Sequence, residues 1–348
     1  MRIVVNDIAA SSGGAMTVLK DFYQCVKDND TENEWIFLLG DNYLEETENI
    51  KVITLPEIKK SGFKKLMFDL FTGKKFIKSL EPDVVFSMQN IITFGLKVPQ
   101  VLYIHQALPF QKVKSFSLFK SNERSIAVKQ HIVGALIKKS AKAAQKVIVQ
   151  TDWMKEAVMS MCKIPEQRIE KAAPAVKNIS QFAKGEEFRK ERFFYPTASG
   201  IYKNNGLVYK ASAVLEEKGT EHSIIMTLPQ EKSAGRVKCI GRIPYEDVIA
   251  EYNRSTLIFP SYIETFGYPL AEARQLGCIV LAADTPFARE VLKDYENAYF
   301  FDYNDASRLA ELMEQVATGE ISRKESRESF NSAENGWYKI LKLVCSAK

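Results

Sequence analysis

Two carboxylates, Glu264 and Glu272, stand eight residues apart in the stretch FPSYIETFGYPLAEARQLGCIV, residues 259–280. Between them Thr265-Phe266-Gly267 reads as a glycine turn. Pro269 suits the first turn of a helix, where its missing N–H leaves no hydrogen bond unmade. The helix then shows an apolar face of Leu270, Ala271, Ala273 and Leu276. Gly277 ends it as a left-handed C-cap, and Cys278–Leu281 opens a buried strand. This spacing sets Glu264 before the helix and Glu272 about one turn inside it. The amides of Thr265, Phe266 and Gly267 point out of the helix N-terminus, where the dipole favours an anion. The stretch therefore offers an anion site with a carboxylate on either side. A diphosphate flanked by two hydroxyl-bearing sugars fits it, phosphates on the amides and hydroxyls on the carboxylates. The plainer reading makes Glu264 an N-cap and Glu272 a solvated helix residue, and the surrounding residues favour the ligand site.

Three further groups sit where a strand empties into a loop. Lys203 lies in the loop ending Tyr202-Lys203-Asn204-Asn205-Gly206, between a strand Arg192–Tyr195 and a helix Leu207–Leu215. There it faces the phosphates, and a charge-assisted Lys–phosphate bond contributes roughly 1.5–3 kcal/mol; the alternative is an ordinary exposed lysine. His105 stands at the C-terminal end of Pro99–Ile104, the end at which open α/β sheets bind ligands. It reads equally as a hydrogen-bonded structural histidine. Gly13 and Gly14 lie in a loop between the strand Ile3-Val4-Val5 and a helix from about Met16 to Val26, an arrangement that cradles phosphate or simply makes a tight turn. The loop is not G-x-G-x-x-G and no Lys-Ser/Thr follows, so it is neither a dinucleotide fingerprint nor a Walker loop. That disfavours an NAD-dependent oxidoreductase.

The elements that must position these residues form two runs of strand–helix alternation. Short apolar strands at Trp35–Leu39, Val52–Leu55, Asp83–Phe86, Pro99–Ile104 and Val147–Val149 belong to the first, and Thr151 caps a helix from Asp152. A polar, non-periodic linker covers about Ala175 to Arg192. The second run continues through strands Ser223–Thr227 and Val237–Ile240, helix Tyr245–Arg254, strand Thr256–Pro260, helix Phe287–Leu292, strand Ala298–Phe301 and helix Ala306–Ala317. A last amphipathic helix, within Asn331–Leu343, returns to the first domain. The predicted domains are 1–180 joined by 331–348, and 190–330; 348 residues suit two domains.

Composition is that of a soluble globular protein. The net charge of +5 is too small to imply nucleic acid. The odd, scattered cysteines Cys25, Cys162, Cys239, Cys278 and Cys345 read as reduced thiols in a cytosolic protein, neither a disulfide framework nor a zinc site. No signal peptide is evident, and no apolar run approaches the ~18 to 20 residues of a membrane span. Two stretches are basic and interleaved with apolar residues: Lys59–Leu80, with Leu66, Met67, Phe68, Leu70 and Phe71, and Gln111–Lys146, with Phe116, Leu118 and Phe119. They suit an anionic membrane surface, or else a solvated charged face with its aromatics turned inward.

From residue 241 the run GRIPYEDVIAEYNRSTLIFPSYIETFGYPLAEARQLGCIVLAADTPFAREVL resembles the signature segment of the retaining GT-B glycosyltransferases of the large bacterial family 4 group, the glycosyl transferases group 1. The resemblance implies an α/β fold of two Rossmann-like β/α/β domains facing each other across a cleft. It implies that Glu264 contacts donor sugar hydroxyls near the reacting carbon and that His105 lies beside the donor sugar. The amides of Thr265, Phe266 and Gly267 would hold the diphosphate, with Lys203 balancing its charge and Gly13 and Gly14 allowing close approach. Glu272 would bind ribose hydroxyls, and the backbone near Ile243 the base. No metal or cofactor is expected, the nucleoside-diphosphate sugar being a substrate. The chain departs from the family in one place: an arginine five or six residues before the lysine is replaced here by Thr197 and Ala198.

The expected activity is transfer of a sugar from a UDP- or GDP-sugar to a hydroxyl acceptor. The basic first half points to a saccharide or lipid-linked acceptor in cell-surface polysaccharide synthesis, at the cytoplasmic face of the cell membrane. Competing readings are a nucleotide-sugar epimerase or hydrolase of the same architecture, and an inert sugar-nucleotide-binding subunit of a membrane assembly.

Overall fold

The structure is a computed structural model that describes residues 1–11, 13–179, 182, 187–325 and 336–347. The chain divides into two compact units, Met1–Ala175 with Ser332–Lys348, and Val176–Asn331.

In the first unit the order is β1 (Arg2–Asp7), α1 (Gly13–Asn29), β2 (Glu34–Leu39), β3 (Ile50–Thr54), α2 (Pro56–Lys59), α3 (Gly62–Met67), a π-helical turn (Phe68–Thr72), α4 (Gly73–Ser79), β4 (Val84–Ser87) and β5 (Gln100–Ile104). It continues with α5 (Arg124–Val128), a second π turn (Lys129–Val133), α6 (Gly134–Ala143), β6 (Lys146–Val149), α7 (Asp152–Cys162) and β7 (Ile169–Lys171). The seven strands form one parallel sheet in the order β3-β2-β1-β4-β5-β6-β7. The five inner strands, β2, β1, β4, β5 and β6, are short apolar runs, nearly all buried, as expected of strands covered on both faces, while the edge strands β3 and β7 are partly exposed.

The second unit runs β8 (Arg192–Tyr195), α8 (Asn205–Glu217), β9 (Ser223–Met226), β10 (Val237–Cys239), α9 (Tyr245–Arg254), β11 (Thr256–Phe259), α10 (Tyr268–Gln275), β12 (Val280–Ala283), α11 (Pro286–Val291), β13 (Ala298–Phe301) and α12 (Ala306–Thr318). Its parallel sheet has the order β10-β9-β8-β11-β12-β13. Both sheets therefore start in the middle, run to one edge, return and run to the other. Each has a topological switch point, between β1 and β4 in one and between β8 and β11 in the other, and ligands of such sheets sit outside the strand carboxyl ends there.

The last helix, α13 (Gly336–Cys345), packs with the first unit as the pattern of apolar residues predicts. Residues 331–335 of the predicted helix and 180, 181 and 183–186 of the predicted linker lie outside the described residues. Trp337, Ile340, Leu341 and Val344 enter one core with Val18, Leu19 and Phe22 of α1 and with Ile3, Val5, Val84 and Phe86 of the sheet. The ring of Phe22 sits 5.8 Å from Trp35, 5.0 Å from Phe86 and 6.1 Å from Trp337. Gly336 allows the approach, because a Cβ there would lie 1.9 Å from the carbonyl oxygen of Ala173. The opposite sheet face, with Val4, Ile8, Ile36 and Leu38, is covered by Phe68 and Ile77 of the α3–α4 run.

One sequence expectation needs correction. Gly13 and Gly14 do not precede α1 but form its first turn, so the helix starts three residues earlier than Met16; weak helix propensity at glycine hid this from the pattern. The basic Lys59–Leu80 stretch is a broken helical run whose π turn shifts the periodicity midway. The short edge strand β7 carries too few residues to stand out in the sequence.

Trp337→Ala should empty the junction of α1, α13 and the sheet. Urea denaturation followed by far-UV circular dichroism should show a loss of about 3–5 kcal/mol in the first unit, the usual range for a buried large aromatic residue.

Candidate functional site

In the second unit the predicted site residues gather at the carboxyl ends of β8 and β11, the two strands that flank the switch point. After β8 the chain makes a short 3-10 turn, Ile201–Lys203, and then Asn204 takes a left-handed conformation at φ 57°. Asn tolerates that region better than most residues. Its side-chain amide donates to the carbonyl of Tyr303 at 2.7 Å and to that of Pro260 at 3.4 Å, tying the turn to the ends of two other strands. The Tyr195 hydroxyl donates to the Lys203 carbonyl at 2.7 Å, and the Tyr262 amide to the Tyr202 carbonyl at 3.0 Å. The backbone under Lys203 is thus held from three sides.

Its side chain meets a carboxylate. Lys203 Nζ lies 2.5 Å from Glu264 Oε1, both groups about one-fifth to one-quarter exposed. The fully buried Ser261 donates its hydroxyl to the same oxygen at 2.8 Å. Glu264 is therefore no helix cap. The helix α10 begins at Tyr268 with Pro269 in its first turn, and its N-cap is Gly267 at φ +88°. A side chain there would be strained, and its Cβ would also lie tight against Leu270, 3.3 Å from its Cδ1. Thr265, Phe266 and Gly267 lead into the positive end of this helix, which has no acidic residue in its first turn. At the other end Gly277 is left-handed at φ 69°, and Cys278 N–H donates to the Ala273 carbonyl, closing the helix as predicted.

Glu272 is half-buried and held by two hydroxyls rather than free in solvent. Tyr245 donates its hydroxyl to Oε1 at 3.0 Å and Tyr252 to Oε2 at 2.9 Å. Burial pushes its pKa up, while the two hydroxyls and the charge of Lys177 oppose the shift. Both tyrosines come from α9, so neighbouring helices share this carboxylate. Ile243 lies half-buried in the segment between β10 and α9, beside the start of the helix that carries Tyr245. At the place of the absent arginine, Thr197 N–H and carbonyl are both bonded to the Thr227 hydroxyl at 2.7 Å, and its own hydroxyl reaches Asn205. That loop is fixed by neutral groups.

In the first unit His105 follows β5, with its ring edge-on to Tyr103 at 5.7 Å. Asn90, left-handed at φ 67°, accepts the His105 backbone N–H on Oδ1 at 2.8 Å. That fixes its amide, so Nδ2 donates to His105 Nε2 at 3.0 Å. The neutral ring therefore carries its proton on Nδ1, which is buried and has no partner among the described residues. Burial lowers the pKa of His105 to about 4. The group is a neutral hydrogen-bond donor awaiting an acceptor, and an unpaired buried donor is costly to leave unmet. Gly14 opens on empty space where a Cβ would stand, so no protein atom requires a glycine there.

The structure brings together Lys203, Glu264, Thr265, Phe266, Gly267 and Glu272 at one end of the second sheet. It sets His105 and the glycine pair at the same end of the first. The sequence reading missed Ser261, Asn204, Tyr245, Tyr252 and Asn90, which hold the charged groups. Among the described residues no cluster of three His, Cys, Asp or Glu is placed to hold a metal ion, and no helix is long and apolar enough to cross a membrane.

Solved structures share this two-unit architecture. The lipopolysaccharide outer core galactosyltransferase WaaB, in its apo form, aligns at 16% identity over 99% of this chain and 99% of that one, with a TM-score of 0.65. HepE of Anabaena in complex with UDP aligns at 15% identity over 100% and 96%, with a TM-score of 0.61. The UDP-GlcNAc 2-epimerase of Methanocaldococcus jannaschii aligns at 12% over 99% and 99%, with a TM-score of 0.57. At these identities the likeness is one of fold, and the fold is GT-B. Residues 198–335 match the family model described as glycosyl transferases group 1. No curated protein sequence matches it.

The histidine gives a pH signature. Its folded pKa of about 4 lies below the ordinary 6.5, so the unfolded chain binds more protons between those values. Its contribution to stability is complete above pH ~6.5 and is lost as pH falls toward 4. His105→Gln should flatten the dependence of the unfolding midpoint on pH in that window, read by chemical denaturation at a series of pH values.

Proposed function

We propose that this chain is a retaining glycosyltransferase that moves a sugar from a nucleoside-diphosphate sugar to a hydroxyl group. The observation that carries the reading is the constellation of Lys203, Glu264 and Ser261 at the switch point of the second sheet, beside the N-terminus of α10. HepE, solved with UDP and with UDP-glucose, and WaaB, named a galactosyltransferase, favour a nucleotide-sugar donor, UDP-linked first.

The barrier to such a transfer lies in charge that builds on the departing diphosphate and on an oxocarbenium-like sugar. Backbone amides at a helix N-terminus are fixed in place before the reaction and need no reorganisation to stabilise the first. Lys203 adds a full positive charge there. Glu264, relieved of part of that charge when the diphosphate arrives, orients the sugar hydroxyls, and Ser261 keeps its carboxylate from swinging. Glu272, steered by Tyr245 and Tyr252, takes the ribose hydroxyls, and the Ile243 backbone takes the base. The Nδ1 proton of His105 is the donor set aside for the sugar, and Gly13 and Gly14 let the diphosphate approach the first turn of α1. The reaction needs no divalent metal. A lipid-linked saccharide of a surface polysaccharide is the acceptor, reached from the cytoplasmic face of the membrane; WaaB acts in the lipopolysaccharide outer core, which favours this class.

A thermal-shift panel of UDP, GDP, ADP and their sugars tests the reading, because a ligand that binds only the folded chain raises its midpoint. One nucleotide should do so with EDTA present. Lys203→Ala should abolish the shift and slow turnover by ~100- to 1,000-fold, the range seen when one preorganised stabilising group is removed. Unchanged turnover would remove Lys203 from the site. Epimerised or hydrolysed sugar formed without acceptor, at the rate seen with it, would replace the transferase reading with that of an epimerase or hydrolase.

A further inference from the structure

On the first unit, α3, the π turn and α4 form one continuous helical run. Phe71, Lys74, Lys75 and Lys78 recur along it at intervals of three and four residues, so they share a face. Phe71 is 57% exposed, and Phe63 one stretch earlier is 70% exposed. Two phenylalanines thus lie bare on one basic helical run.

The three lysines line a cleft of about 610 Å³ together with Lys97, Leu96 and Val98 from the loop after β4. Its floor is apolar and its rim cationic. Glu81, the one acid there, lies within 3.7 Å of Arg2. Among the described residues none of the four lysines has an ion-pair partner. Elsewhere on the same run the lysines are engaged, Lys65 with the buried Asp69 and Lys64 with Glu57. Four exposed lysines without an ion-pair partner among the described residues, over an apolar floor and next to a bare aromatic ring, match a phosphate joined to a hydrocarbon.

We propose that this cleft and the exposed face of α4 dock on an anionic membrane, with lipid phosphates between Lys74, Lys75, Lys78 and Lys97 and Phe71 entering the acyl boundary. Charge and apolar contact both contribute to such interfacial binding, and each lysine adds to it while salt removes it. The proposal rests on the peripheral membrane placement given above but uses no donor-site residue.

Flotation of the full chain with vesicles tests it, using phosphatidylcholine alone and with added phosphatidylglycerol. Binding should need the anionic lipid and fade with salt. Lys74→Glu/Lys75→Glu/Lys78→Glu should weaken it by at least roughly tenfold, and Phe71→Ser should weaken it at unchanged charge. Lys20→Glu/Lys27→Glu, on the exposed side of α1, should bind as the parent does. Equal loss in that control, undiminished binding of the α4 variant, or equal binding to neutral vesicles would overturn the proposal. Release by inorganic phosphate at matched ionic strength would overturn it too, marking a pocket for free phosphate. The nucleotide thermal shift, measured on the same variants, should be unchanged. Its absence in the parent would count against the donor reading, while loss of flotation alone would count against the docking face.

Discussion

The contact between Lys203 and Glu264 organises the second unit's site. A cation and a carboxylate that are both largely withdrawn from water are tolerable only when each is satisfied. The surroundings meet that demand, with Ser261 donating to the carboxylate and Tyr195, Asn204 and Tyr262 fixing the backbone on either side. Replacing one partner would strand the other. The left-handed Asn204, the buried Ser261 and the position of the α10 N-terminus can be understood as the conditions under which this pair holds its geometry.

A shared topological rule explains why the chemistry-bearing residues occupy the same end of each sheet. In both units the first strand lies at the centre, and the loops leaving it and its later neighbour diverge to opposite faces. This opens a crevice at the strand carboxyl ends. Lys203 leaves β8 and Glu264 leaves β11, which are hydrogen-bonded neighbours although 61 residues separate the two side chains. Asp7 at the end of β1, and Asn90 and His105 beyond β4 and β5, occupy the corresponding place in the first unit. Asp7 is nearly fully buried there, and its pKa rises to about 7 because desolvation outweighs the charges of Lys65 and Lys59.

Much of this was legible in the sequence. Strand identity came from short apolar runs, and the Glu264–Glu272 stretch declared itself through Gly267, Pro269 and Gly277, whose backbone habits are local. The partners of these residues were not legible. Nothing local links Tyr245 or Tyr252 to Glu272, 27 and 20 residues away, because that contact exists only once α9 and α10 pack side by side. Nor does a periodicity argument foresee a π turn. At Phe68–Thr72 one turn takes an extra residue and rotates everything after it, so an apolar pattern that looked diffuse resolves into a buried Phe68 and an exposed Phe71. Gly13 and Gly14 were misplaced for the opposite reason, since glycine is a poor helix former that a tertiary context can still recruit.

The return of α13 to the first unit has a consequence for synthesis. The first unit is discontinuous in sequence, while the second is one unbroken segment. On the ribosome the first sheet emerges early, yet its face at Val18, Phe22 and Trp35 lacks Trp337, Ile340 and Val344 until α13 has been made. The second unit has all its strands before that moment. The order of completion is therefore the reverse of the order of appearance, and the earliest strands must wait with an apolar face uncovered while the second unit folds behind them.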